Sequence, residues 1–72
     1  MNCRMREEDI KVASNLLRIR KEKGLSQGAI AKLLGVSWQV AQYYESGRNR
    51  IAAGKIGILA RELNIPVDDF FK

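Results

Sequence analysis

The side chains with the most chemistry to offer lie in one run, Trp38-Gln39-Val40-Ala41-Gln42-Tyr43, followed closely by Arg48-Asn49-Arg50. A glutamine amide can donate to adenine N7 and accept from the adenine N6 amino group together, so Gln39 and Gln42 suit the reading of base edges. Val40 has the shape to pack on a thymine methyl, while Trp38 and Tyr43 each add an apolar ring with one donor. Between Trp38 and Ser46 there is no lysine or arginine. Bidentate guanine readout by arginine is therefore closed to this run, and its preference leans toward A·T pairs. The cations of the following turn suit phosphate instead.

Such a row needs a rigid support, and residues 26–47 predict one. Ser26 can cap a first helix in which Ile30, Leu33 and Leu34 recur at helical spacing. Gly35 supplies the left-handed position that ends it. Val36 fills the angle, and Ser37 can cap a second helix running to Gly47. Two helices joined through so tight a turn form a helix-turn-helix, whose second helix can enter a DNA major groove.

The rest of the chain reads as three further helices. Helix 1 is expected over residues 9–23, capped by Asp9 and ended by Gly24. Val12, Leu16, Ile19, Arg20 and Lys23 share one face of it, and an arginine inside an apolar stripe needs a partner. Helix 4 spans about 53–63, with Ile56, Leu59, Ala60 and Leu63 inward and Asn64 closing it. Its cap, Ala52, is weak, and Gly54 and Gly57 each cost it about 1 kcal/mol relative to alanine. Pro66 opens a short fifth helix through Val67, Phe70 and Phe71. No stretch alternates as a strand does, so the fold class is all-α. Residues 1–8 lack an apolar period and are expected to be a mobile N-terminal segment ahead of a single domain over 9–72.

Composition narrows the function classes. In 72 residues with net charge +5, Cys3 is the sole cysteine and histidine is absent. Zinc ligation and an intramolecular disulfide are excluded, no other metal site or cofactor is implied, and Cys3 reads as a free thiol on the mobile segment. Between Lys11 and Lys55 there are nine Lys/Arg against two acids, whereas the flanks hold four against six. A basic middle with mildly acidic ends suits contact with a polyanion on one face. Nothing resembles a signal peptide, and no apolar run approaches the ~20 residues that span a membrane, so no membrane contact and a cytoplasmic location are expected. The acids sit at caps or on solvated faces, which gives catalysis no support. A small-molecule effector has no evident place.

The sequence resembles the phage-repressor helix-turn-helix family, of Cro-like or XRE type. The similarity rests on Leu-Arg-Ile-Arg-Lys-Glu-Lys-Gly-Leu-Ser-Gln at 17–27, Ala-Lys-Leu-Leu-Gly-Val-Ser at 31–37, Tyr-Glu-Ser-Gly-Arg-Asn-Arg at 44–50 and Leu-Asn-Ile-Pro-Val-Asp-Asp-Phe-Phe at 63–71. It implies a compact five-helix, lambda-repressor-like domain that binds a double-stranded DNA operator, usually as a homodimer, and regulates transcription. The family pattern turns Val36, Ala41 and Tyr44 inward. It implies base and nearby backbone contacts from Trp38, Gln39, Val40 and Tyr43, with Gln42 second, and a backbone grip from Gln27. Ser37, Arg48, Asn49 and Arg50 would hold phosphates, with Lys32 and Lys55 as additions. The resemblance also gives Arg20 a partner, Glu45, in a bidentate pair that would fix the recognition helix to helix 1.

Three positions depart from that pattern. Gly28 stands where an acid or glutamine is usual early in helix 2, and no capping box with Ser26 is expected; Ala52 stands where a serine or threonine cap is usual, and the large Trp38 at the first recognition position. One recognition helix alone reads little sequence, so a two-fold dimer with half-sites one turn (~34 Å) apart is expected. Ile58, Val67 and Phe71 are the candidate contact, and Leu17 also lies off its helix's inward stripe. The leading function is a transcriptional repressor. The alternatives are an antitoxin or restriction–modification controller binding its own promoter, and a protein-interaction module that kept the fold and lost DNA binding.

Overall fold

The computed structural model describes residues 7–72. Four helices follow in order, α1 (Glu7–Glu22), α2 (Gln27–Leu34), α3 (Trp38–Ser46) and α4 (Ala53–Leu63), then a 3₁₀ turn over Val67–Phe71. No strand occurs among the described residues. The reading of Cys3 as a free thiol, and of residues 1–8 as a mobile segment, falls outside them except at Glu7 and Glu8, which lie in the first turn of α1 and so belong to the folded part.

Helix α1 begins two residues before the expected cap, so Asp9 lies in its first turn with Glu7 and Glu8. Three acids there favour a helix start, since they face the positive end of the dipole. Lys23, expected on the buried stripe, is exposed because the helix has ended and the chain turns at left-handed Gly24 (φ 69°). The two middle helices obey their local signals. Ser26 Oγ accepts from the Ala29 N–H at 3.0 Å, and Ser37 Oγ from the Val40 N–H at 3.2 Å. Gly35 (φ 69°) and Gly47 (φ 83°) close them in the left-handed region. Ala52 offers α4 no side-chain cap, and Asn64 (φ 56°) ends it.

The fifth helix is a 3₁₀ turn, with Asp69 N–H donating to the Pro66 carbonyl at 3.1 Å. Short terminal segments of this kind commonly take the tighter i→i−3 bonding, and the register here is i→i−3.

Leu16, Ile30, Leu59 and Phe70 are the largest fully buried side chains, one each from α1, α2, α4 and the 3₁₀ turn. Ala41 of α3 is also fully buried, and a methyl there lets α3 approach α1 and α2 closely. Each such apolar side chain larger than alanine contributes about 1.5–3 kcal/mol by leaving water.

A polar residue, Asn15, is buried among them. Its Nδ2 donates to the carbonyls of Phe70 (3.0 Å) and Lys72 (3.2 Å). Arg18 donates to Asn15 Oδ1 and to the Asp69 carbonyl, both at 3.3 Å. These bonds clasp the 3₁₀ turn onto α1.

Candidate nucleic-acid interface

Helix α3 buries Ala41, Tyr44 and Glu45 and turns its other side outward. Glu45 is the point that fixes its rotation. Arg20 Nε donates to Glu45 Oε2, with side-chain exposures of 14% and 4% for the two partners. The expected bidentate geometry is replaced by a shared one. A second guanidinium nitrogen of Arg20 donates to the Leu25 carbonyl at 2.8 Å, and Gln27 Nε2 donates to Glu45 Oε1 at 3.2 Å. Both carboxylate oxygens are thus satisfied from different elements, as burial of that charge requires. One network ties the end of α1, the start of α2 and the end of α3.

Gln27 therefore faces Glu45 with one amide hydrogen, and the second hydrogen remains beyond that bond. Trp38, at 60% exposure, projects farther into solvent than any other large apolar side chain described. Gln39 and Gln42 are exposed beside it. Val40 is less outward than the sequence suggests, because its side chain is half-buried against the core. It forms a shoulder of the face.

Tyr43 is half-buried at the centre of the outward row. Gln39 Nε2 donates to the Tyr43 hydroxyl at 3.1 Å, and Arg48 Cζ lies 4.7 Å from the Tyr43 ring centroid. Arg48 and Asn49 are exposed on the turn that follows. Arg50 leans back toward α1, where its Nε is 3.4 Å from Asp9 Oδ2. That contact joins one expected phosphate ligand to the first turn of α1, a link that spacing along the chain does not reveal. Lys55 reaches the Leu34 carbonyl at 3.4 Å and so serves the C-terminal end of α2. Ser37 uses its oxygen as the cap of α3, which leaves its O–H to donate.

The candidate dimer residues divide. Val67 and Phe71 are exposed at 46% and 47%, whereas Ile58 is half-buried and packs on the core. Exposed Ile10 was not foreseen. Sequence reasoning also missed an open apolar groove of about 460 Å³ lined by Leu25, Ala29, Lys32, Leu33 and Leu63. No helix among the described residues is long and apolar enough to cross a membrane.

The helix-turn-helix family model matches residues 16–70. A transcriptional regulator from the ATPase CF(0) region of Rhodospirillum rubrum is 40% identical over 63 residues, covering 88% of this chain and 58% of that protein. An HTH-type transcriptional regulator from Sinorhizobium medicae is 38% identical over 64 residues, covering 89% and 46%. The chain thus spans about half the length of these curated relatives. Among solved structures, a restriction-modification controller protein from Aeromonas hydrophila superposes with a TM-score of 0.77 at 31% identity, over 86% of this chain and 94% of that one. A transcriptional regulator from Listeria innocua gives 0.76 at 35% identity, over 83% and 56%. With the capped α2–α3 pair and the all-helical core, these matches show that the chain belongs to the XRE-type helix-turn-helix family of DNA-binding transcriptional regulators.

Proposed function

We propose that this chain is a transcriptional repressor that binds a palindromic operator as a homodimer in the cytoplasm, with α3 in the major groove. One observation carries the reading: α3 presents an uncharged face of Trp38, Gln39, Gln42 and Tyr43 while Arg48 and Asn49 stand exposed at its end. Glutamine amides and apolar rings discriminate bases, and the flanking cations and amides hold the backbone. Val40 adds an apolar shoulder, and Gln27, Ser37 and Arg50 supply further phosphate contacts from the rim. The exposed Val67 and Phe71, with the half-buried Ile58 of α4, form the two-fold contact.

A second reading, that of a controller protein acting on its own promoter, is favoured by the structural likeness to a restriction-modification controller along nearly all of that chain. Both readings share the same DNA chemistry and are separated by where the bound site lies. Selection of bound duplexes from a random-sequence pool tests them. The repressor and controller readings both expect an A·T-leaning palindrome with half-site centres ~34 Å apart, and the controller reading expects it upstream of the chain's own gene. A pool that shows no enrichment argues for an interaction module instead.

A further inference from the structure

We propose that Tyr43 is a positioning residue that couples the base-reading amide of Gln39 to the phosphate-facing guanidinium of Arg48. The inference rests on the DNA-reading role of α3 and adds a division of labour within it.

The hydroxyl of Tyr43 receives one amide hydrogen of Gln39, one helical turn away, at 3.1 Å. A primary amide has two hydrogens, so the second hydrogen and the carbonyl oxygen remain for adenine N7 and N6. A glutamine held in this way loses less side-chain freedom on docking than one that orders only on contact. The ring of Tyr43 meanwhile carries the Arg48 guanidinium at 4.7 Å, within cation–π range.

The backbone of the same residue holds the turn that brings Arg48 there. The Tyr43 carbonyl accepts from the Gly47 N–H, from the Arg48 N–H at 2.9 Å and from the Asn49 N–H at 3.3 Å. Ser46 Oγ adds a fourth donor at 3.2 Å. Gly47 at φ 83° folds the chain back, and the guanidinium arrives over the ring. Hydroxyl, ring and carbonyl of one side chain and its own peptide unit therefore join a base reader to a cation. Tyr43 acts through both neighbours, and its own base contact is unnecessary to the account.

Duplexes selected by the wild-type chain test this in a double-mutant cycle. Tyr43→Phe keeps the ring and loses the hydroxyl. It is expected to lower discrimination at the base pair read by Gln39 about fivefold, with the salt slope and melting temperature unchanged. In a Gln39→Ala background the same change should have no further effect on that discrimination. Tyr43→Leu, which removes the ring, should also weaken all duplexes about threefold and flatten the salt slope toward that of Arg48→Ala. The first cycle stands alone if Tyr43→Leu fails to fold.

Wild-type discrimination in Tyr43→Phe overturns the proposal, as does simple additivity with Gln39→Ala. A loss at a base pair other than that of Gln39 also overturns it, because the Tyr43 hydroxyl would then read a base directly and not through Gln39. A wild-type chain that binds no duplex in a salt-sensitive way sinks the DNA-reading role and this coupling together, whereas additivity in a chain that binds sinks the coupling alone.

Discussion

Arg20 on α1 and Glu45 on α3 meet 25 residues apart in the chain, and the Glu45 side chain is almost wholly withdrawn from water. Their contact places α3 relative to the rest of the fold. Arg20→Ala would leave a buried carboxylate with only the Gln27 amide, at a cost of about 3 kcal/mol. That is a large share of the stability available to a domain this small. Thermal unfolding and DNA titration of the variant should show both a lower melting temperature and a weaker complex. Affinity lost at an unchanged melting temperature would mean that Arg20 touches DNA and does not orient α3.

Base reading and phosphate binding should separate by substitution. Gln39→Ala should relax preference at one base pair, leaving other positions alone, at a cost of about 1–3 kcal/mol against the preferred duplex. Arg48→Ala should weaken every duplex alike and reduce the salt slope by about one unit. Equal, uniform losses from both would contradict the division.

The local signals were legible because they are local. Ser26, Ser37, Gly35 and Gly47 each act within three or four residues, so their types alone delimit α2 and α3. The Arg20–Glu45 contact was foreseen through family resemblance, yet its sharing with Gln27 and the Leu25 carbonyl was not, since a pairwise expectation leaves out third partners. Asn15 escaped because a polar residue reads as solvated in any hydrophobic period, and its partners are carbonyls 55 and 57 residues away. The Asp9–Arg50 contact escaped for the same reason of distance along the chain. Whether residues 67–71 form an α or a 3₁₀ turn depends on one bond register that composition does not encode.

The clasp made by Asn15 has its own consequence. Asn15→Leu would remove the donor from the buried Phe70 carbonyl, costing about 1–3 kcal/mol. Denaturant unfolding should show the loss, and amide exchange should quicken over residues 67–71 while the selected DNA motif stays the same. Unchanged exchange in the 3₁₀ turn would mean that Phe70 packing alone holds it.

Helix α4 has room for improvement. A Cβ at Gly57 meets nothing within 4 Å, and the residue is exposed in mid-helix. Gly57→Ala should stabilise the fold by about 0.5–1 kcal/mol, read as a higher denaturant midpoint at constant slope. A lower midpoint would place Gly57 against a partner surface of the assembled protein.

Phe71, 47% exposed at the end of the 3₁₀ turn that Val67 opens, should matter to assembly more than to folding. Phe71→Glu is expected to shift the concentration dependence of the mass toward monomer and to weaken binding to a two-half-site duplex, with the helical content kept. A monomer mass at all concentrations in the wild-type chain, with and without DNA, would remove the two-fold model.

Trp38 is the single tryptophan, 60% exposed on the outward face of α3, and its emission reports directly on that face. Titration with a selected duplex should change Trp38 fluorescence and shield it from acrylamide, with the same midpoint as the anisotropy of labelled DNA and a midpoint that rises with salt. Binding seen by anisotropy with Trp38 emission and quencher access unchanged would contradict the placement of α3 in the groove.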